Sequence, residues 1–273
     1  KGWKFFKDLD RMELVATLNP ETHELEYQKP TDYIEQEYNG PMYHVKNHAI
    51  DLLVTPEHEM FVQIPSKTRK NNIDYHLVQA KDIKGKVVNY KKNAKWVGKE
   101  QDYFILPSAK KYYKHVFAKG GHGQTFENIV KDLPEIKIPT NLWAEFLGYY
   151  LTEGSVTKDG GVRIAQYEYI TRPTKLQHKE NYDKMKICLE KICSLLKCNL
   201  GVRDTSFEMY NRQLFEYLKK FGKCGDKYIP RDILELPPYQ LKILFGALMA
   251  GDGCYTRYSD PSFATTSKQL AGD

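Results

Sequence analysis

Two short stretches that begin 99 positions apart share a pattern of apolar and small residues ending in an acid followed by glycine. The first runs from Phe146 to Gly154 and the second from Phe245 to Gly253. A helix rich in glycine and alanine can bring its backbone close to a partner helix, and helices commonly end at a glycine. Packed together, two such helices would place Glu153 beside Asp252, and paired carboxylates bind Mg²⁺. We therefore predict a helix pair with an acidic end at the centre of the fold.

The composition narrows the class of protein. The 273 residues suffice for one or two domains, and 41 Lys and Arg against 35 Asp and Glu give a net charge of +6, which suits nucleic acid binding and an ordinary soluble protein equally. No apolar run is long enough for a membrane span, and the start does not resemble a signal peptide. The five cysteines lack zinc-ligand spacing and favour reduced thiols. We expect an intracellular protein, in the cytoplasm or nucleoid of a prokaryote or a phage-infected cell, without a membrane partner.

Residues 1–65 predict a compact all-β module, because turn signals separate short apolar strands at intervals of roughly 8–12 residues. Thr55-Pro56-Glu57-His58 follows the apolar strand 50–54. A hydroxyl and an imidazole three residues apart can act together on one peptide bond. Alternatively, Thr55 only caps a tight turn and His58 is an ordinary polar residue. The residues alone leave both interpretations open.

The segments Gly2–Leu9, Val15–Asn19 and Leu53–His58 resemble the N-terminal part of an intein, the Hint splicing fold. The resemblance implies that His58 protonates the departing amide nitrogen and that Thr55 polarises the scissile bond. It also implies host exteins as partners. Because the chain starts at Lys1 and ends at Asp273, without the nucleophiles of the splice junctions, we expect a fragment truncated at both ends that cannot splice itself.

Residues 84–119 hold ten lysines and two acids with aromatic residues between them. This composition predicts either a surface that contacts DNA phosphates or a solvated charged face. The flexible sequence Gly120-Gly121-His122-Gly123 predicts a linker. We therefore place a domain boundary after residue 122, between a Hint-like region over 1–122 and a second domain over 123–273.

From residue 138 onward the periodicity predicts helices between antiparallel strand pairs. Together with the two acid-glycine stretches, the region 140–256 resembles the LAGLIDADG homing endonuclease family, and the whole chain is predicted to be an α+β protein. The resemblance implies that Glu153 and Asp252 bind Mg²⁺ or Mn²⁺ as catalytic acids and that Lys227 stabilises charge in the transition state. It implies a metal-dependent double-strand break at a long DNA site. Only 20 residues follow Gly253, so the second repeat is expected to be incomplete.

The strands predicted around residues 162–169 and 200–210 would offer side chains to the major groove, where Arg pairs with guanine and Gln or Asn with adenine. These are Arg163, Gln166, Tyr167, Arg203 and Asn211. Which of them face outward depends on strand register. Two alternatives stay open: a splicing-domain fragment with an inactive endonuclease insert, and a DNA-binding module without cleavage.

Overall fold

The structure is a computed structural model that describes residues 4–65, 74–91, 93–119, 123–168, 175–255 and 260–273, with only the backbone described for 112–119, 123–129 and 175–178. The chain divides into two compact units, one ending at Val97 and the other running over Gly98–Asp273. Each unit has its own core.

The first unit consists of short antiparallel strands, a 3-10 turn at Phe6–Asp8 and a short helix. Its elements are β1 (Val15–Leu18), β2 (Leu25–Gln28), β3 (Tyr43–Lys46), β4 (Asp51–Val54), β5 (Glu59–Gln63), β6 (His76–Gln79), α1 (Ala80–Ile83) and β7 (Asn89–Tyr90). Strands β1 and β2 form one hairpin, β3 and β4 a second, and β5 lies between β6 and β7. The buried core of the described part is small and comprises Met60, Val62, Ala80 and Ile83. Large apolar side chains such as Phe6, Ile34 and Leu53 are exposed.

The second unit alternates helices with antiparallel strands. Its elements are β8 (Tyr103–Leu106), β9 (Ala109–Lys119), β10 (Gly123–Leu133), β11 (Ile136–Pro139), α2 (Thr140–Glu153), β12 (Gly154–Val156), β13 (Val162–Ala165), α3 (Lys175–Leu196), β14 (Leu200–Arg203), β15 (Ser206–Met209), α4 (Arg212–Leu218), α5 (Arg231–Leu234), α6 (Pro238–Asp252), β16 (Gly253–Cys254), β17 (Ser262–Phe263) and α7 (Lys268–Gly272).

Helix α2 lies at the centre of this unit. The four-stranded sheet, in the order β12-β13-β15-β14, contributes buried residues to the same core as α2, α3 and α4. Along β13 the side chains alternate between buried and exposed, as expected of a sheet with one covered face. On the side of α2 that faces β8, Trp143 stacks on Phe104 with ring centroids 4.0 Å apart. The sheet and the surrounding helices thus hold α2, and with it Glu153, in a fixed place.

The predicted elements largely coincide with those observed. The two acid-glycine stretches lie in helices that run over Thr140–Glu153 and Pro238–Asp252. Within the region predicted to be an all-β module, residues 31–37 are described and are not in a strand. The predicted boundary after residue 122 falls between β9 and β10, which pair along their whole length. Residues 120–122 of the predicted linker lie outside the described residues. Among the helices that the structure describes, none combines the length and apolar character of a membrane span.

Candidate metal centre

Helices α2 and α6 approach each other closely because small residues lie where their backbones meet. A side-chain carbon added to Gly148 would lie 2.5 Å from Cβ of Ala247 and 2.8 Å from the carbonyl oxygen of Leu244. At the other end of the contact, a carbon added to Gly251 would lie 2.2 Å from Oγ1 of Thr152. Both contacts join positions that are equivalent in the two stretches. The sequence prediction of a close helix pair is confirmed.

Each helix ends at its acid, Glu153 in α2 and Asp252 in α6. The glycines that follow have φ angles of −86° and −78°, so neither is needed for a left-handed turn. They are needed for space, since a carbon added to Gly154 would lie 2.4 Å from the carbonyl oxygen of Tyr150, and one added to Gly253 2.3 Å from that of Met249. The expectation of a glycine that turns the chain is therefore wrong in its reason. A strand begins directly after each acid, so each acid lies at the junction of a helix and a strand.

Lys227 lies at the C-terminal end of α2, and only 3% of the surface of this residue is exposed. Its ammonium group donates hydrogen bonds to the carbonyl oxygens of Tyr150, at 2.8 Å, and Gly154, at 2.7 Å. It also lies 5.1 Å from the centroid of the Tyr150 ring. The lysine thus donates to two carbonyl groups at the end of α2, and the carbonyl oxygen of Tyr150 also accepts a hydrogen bond from the backbone nitrogen of Gly154. A cation at this end also interacts favourably with the helix dipole.

The segment around Lys227 is in turn held by the C-terminal residues. The Ser267 hydroxyl donates a hydrogen bond to the carbonyl oxygen of Lys227, at 2.6 Å, and accepts one from the backbone of Leu270. The carboxylate of Asp273 accepts a hydrogen bond from the backbone nitrogen of Ile229, at 2.8 Å. Sequence reasoning missed Ser267 and Asp273. The only signal was the N-cap preference of serine at the start of a short helix.

The three ionisable groups influence one another. Burial raises the pKa of Glu153, the charge of Asp252 raises it further, and Lys227 acts against both. Partial burial also raises the pKa of Asp252, and Lys227 again opposes the shift. As a whole residue, Asp252 is exposed to solvent. Burial lowers the pKa of Lys227 to about 8, while Cys224, Asp252 and Glu153 act in the opposite direction. Burial is thus the first cause of both raised carboxyl pKa values, and the positive charge of Lys227 only partly offsets it.

This donor set fits a hard divalent cation. Within the described ranges, no group of three or more His, Cys, Asp and Glu side chains is arranged to hold a metal ion, and the charge of Asp252 acts on Glu153. Mg²⁺ is commonly bound through one or two carboxylates, with water or substrate oxygens completing its coordination. The pair therefore suits Mg²⁺ or Mn²⁺ better than a metal that needs a closed cage of protein ligands.

The five residues expected to contact bases do not form one surface. Arg163 is exposed on β13 and pairs with Glu208, with 2.6 Å between Nη2 and Oε1. Arg203 approaches the same carboxylate, with 3.6 Å between Nε and Oε2. Tyr167 is exposed and Gln166 is half-buried beyond the end of β13. Asn211 is elsewhere, because its side chain caps α4 by accepting a hydrogen bond from the backbone of Leu214 and donates to the carbonyl oxygen of Leu196.

Thr55 and His58 belong to the first unit, where they occupy the turn between β4 and β5. The backbone nitrogen of His58 donates to the carbonyl oxygen of Thr55, at 3.1 Å, which closes the turn. The carbonyl oxygens of Pro56 and His58 accept hydrogen bonds from Lys81 and Ala80 at the start of α1. This geometry is that of a structural turn supporting a helical turn.

No protein-family model matches the chain. Two curated proteins are similar to it. One is the ATP-dependent Clp protease proteolytic subunit of Chlamydomonas moewusii, 31% identical over 283 residues that cover 100% of this chain and 26% of the relative. The other is the DNA-directed RNA polymerase subunit beta C-terminal section of Stigeoclonium helveticum, 28% identical over 257 residues that cover 91% of this chain and 22% of the relative. The chain thus spans about a quarter of the length of the curated relatives it matches.

These comparisons correct the family resemblance. The similar proteins are named as a protease subunit and an RNA polymerase section, and neither is named as an intein or a LAGLIDADG homing endonuclease. Both names are those of enzyme components, so the comparisons support a link to an enzyme but not to a DNA endonuclease. The expected partners, a long double-stranded DNA site and host exteins, are corrected with it. The two alternatives, an inactive endonuclease insert and a DNA-binding module, rest on the same resemblance and are corrected as well.

The correction has a physical reason. A T-x-x-H turn closes by ordinary backbone hydrogen bonding here, and the glycines after the two acids leave space for the last turn of their own helices. Such short signals arise wherever these local geometries do. They therefore predict the local structure correctly without determining the family.

Proposed function

We propose that the chain is a module common to two otherwise different proteins, and that its functional part is a divalent-cation site at the ends of α2 and α6. At least 91% of the chain matches a segment of each relative, and in each the segment is about a quarter of the length. A proteolytic subunit and an RNA polymerase section carry out different chemistry. The segment that they share is therefore best explained as a part that is not required for either reaction.

The observation that carries the cation site is the pair of carboxylates at two rigid helix ends. Glu153 and Asp252 would hold the ion, which when bound lowers the pKa of a water molecule and polarises a substrate oxygen. Lys227 places a fixed positive charge near both acids while its hydrogen bonds go to backbone carbonyls. The lysine therefore limits the repulsion between the acids without occupying their oxygens, and the site is organised before a cation arrives.

Calorimetric titration of the purified chain with Mn²⁺ and Mg²⁺ tests this site. We expect one cation per chain, and a loss of affinity of about tenfold or more in Glu153→Gln and in Asp252→Asn. Glu180→Gln is the matched control, because Glu180 is an exposed acid paired with Lys184 on α3. Equal affinity in all four proteins, or no binding at millimolar cation, would contradict the site.

A second candidate function is that of a segment of an ATP-dependent peptidase. The 31% identity to the Clp proteolytic subunit over the whole chain favours it. The two candidates differ in a simple assay, since the shared module is not expected to hydrolyse unstructured casein or short fluorogenic peptides. Hydrolysis that is retained in Glu153→Gln and Asp252→Asn would favour the peptidase and place its chemistry outside the acid pair.

A further inference from the structure

Helix α3 ends in a tightly defined turn that involves two cysteines. The backbone nitrogen of Cys198 donates to the carbonyl oxygen of Cys193, at 3.0 Å, and that of Lys197 donates to the carbonyl oxygen of Ser194, at 3.2 Å. Lys197 has a φ of 52°, in the left-handed region. These two hydrogen bonds around a left-handed residue define a Schellman motif, which closes the end of many helices.

In this motif the side chain three positions inside the helix frequently contacts the side chain one position beyond the left-handed residue. Here these two positions are Cys193 and Cys198. Each of the two thiols is the largest influence on the pKa of the other. Cys193 is buried, whereas Cys198 is half-buried. The backbone geometry itself thus brings two reduced sulfurs together, one of them within reach of solvent.

The environments of the two sulfurs differ in a useful way. The neighbouring Cys193 thiol lowers the pKa of Cys198, while the Cys198 thiol and burial raise the pKa of Cys193. The thiolate is the nucleophile in exchange with a disulfide. Cys198 is therefore suited to react first and Cys193 to react second. Cys188 offers a contrast, since it is buried on the same helix and burial raises its pKa.

We propose that Cys193 and Cys198 form a redox-active dithiol that accepts a small disulfide, such as oxidised glutathione, as its oxidant. The Cys198 thiolate attacks one sulfur of the small disulfide, which forms a mixed disulfide and releases one thiolate. Cys193 then loses its proton and attacks the sulfur of Cys198, so that the second thiolate leaves. The products are one internal disulfide and two molecules of the reduced thiol, and the two protein thiols have been oxidised by two electrons.

The internal disulfide would connect two residues on either side of the left-handed turn at Lys197. Strand β14 begins at Leu200, two residues after Cys198. Oxidation would therefore fix the junction through which α3 leads into the four-stranded sheet. The thermal midpoint of the oxidised chain is expected to be higher than that of the reduced chain, because the cross-link restricts the unfolded state.

The test uses oxidised and reduced glutathione at defined ratios, followed by alkylation of free thiols and mass spectrometry of the peptides. It is done with Cys224→Ser and Cys254→Ser combined, because both of these cysteines are exposed and would react independently. We expect a peptide in which Cys193 and Cys198 are linked, with the loss of two hydrogens. Cys188 is expected to stay a free thiol and therefore to be alkylated. In the same background, Cys193→Ser is expected to retain glutathione on Cys198, and Cys198→Ser to retain none at Cys193.

Several outcomes would overturn the proposal. One is full alkylation of Cys193 and Cys198 at ratios that already oxidise Cys224 in the unsubstituted chain. Another is a Cys193→Ser protein that is folded by circular dichroism but retains no glutathione. The link between Cys193 and Cys198 is mapped in a chain that keeps both cysteines. This result therefore does not depend on whether Cys193→Ser or Cys198→Ser folds.

Discussion

Helices α2 and α6 have the same pattern and share one contact surface, yet their other faces have different surroundings. Phe146 in α2 is completely buried, whereas Phe245, at the equivalent position of α6, has 55% of its surface exposed. Leu147 is completely buried, whereas its equivalent Gly246 is exposed. The difference shows that the repeated pattern determines the face on which the helices meet. The burial of the opposite face depends on what else the chain packs there.

The surroundings of α2 explain the difference. Strands β8 and β11 cover one side of it through Phe104 and Ile138, and α3, α4 and the four-stranded sheet cover the rest. Helix α6 packs against α2 and contacts the short β16 and β17 within the described residues. Stability is therefore expected to depend strongly on residues of α2 and weakly on their equivalents in α6.

The largest expected effect comes from the matched pair Phe146→Ala and Phe245→Ala. Removing a fully buried phenylalanine should reduce the free energy of unfolding by about 3–5 kcal/mol. Removing a mainly exposed one should change it by less than about 1 kcal/mol. Chemical denaturation of the two variants measures both values. Equal losses would show that the open face of α6 is covered in solution and would remove the contrast between the helices.

The second pair is Gly148→Ala and Gly246→Ala. The new methyl group at position 148 would overlap Ala247 and Leu244, and overpacking of this kind costs about 1–3 kcal/mol. At position 246 no heavy atom lies within 4 Å of the new carbon, so the higher helix propensity of alanine should stabilise the chain by about 1 kcal/mol. Thermal denaturation gives the sign of each change. A stable Gly148→Ala variant would mean that α2 and α6 are farther apart than the structure shows.

The third prediction concerns the buried Lys227 at the end of α2 and its effect on the pH dependence of the free energy of unfolding. The pKa of this lysine is lowered from 10.5 to about 8 in the folded chain, so between these values the unfolded state binds more protons. The free energy of unfolding should therefore rise with pH from about 8 to 10.5, and this rise should be absent in Lys227→Met. Lys242→Met, at an exposed position of α6, is the control and should keep it. Identical pH profiles for Lys227→Met and the unsubstituted chain would exclude a buried charge at the end of α2.

The smallest expected effect is that of Glu153 at acidic pH. Its pKa is raised above 4.5 in the folded chain, so protonation favours folding. The stabilisation is complete below pH 4.5 and is lost as the pH rises through the raised pKa. Glu153→Gln, which cannot ionise, should be more stable than the unsubstituted chain at pH 7 and lose this advantage below pH 4.5. Denaturation at both pH values measures the difference. A variant that is less stable at pH 7 would show that the charged form of Glu153 is stabilised by its surroundings.

Much of the second unit could be predicted from local patterns. The pattern after residue 138, which predicts helices between antiparallel strand pairs, gave elements close to those observed, among them α3 and the pair of β12 and β13. The N-terminal strands were predicted in the same way. Their assembly around a small core was not predicted. The predicted boundary after residue 122 differs from the division between the two compact units at Val97, and the glycine-rich segment falls between two strands that pair. Glycine indicates a change of direction but not whether the chain then returns to pair with itself.

The sequence by itself determined the close approach of α2 and α6 and the placement of Glu153 and Asp252 at their ends. Both depend on small residues and acids within one short stretch. Only the tertiary structure decided that Lys227 is buried against the carbonyl groups of α2, that Ser267 fixes the lysine, and that one helix is surrounded while the other has an open face. These features join residues 40 or more positions apart. Local propensities and periodicity carry no information about such contacts, because they arise only when the whole core packs.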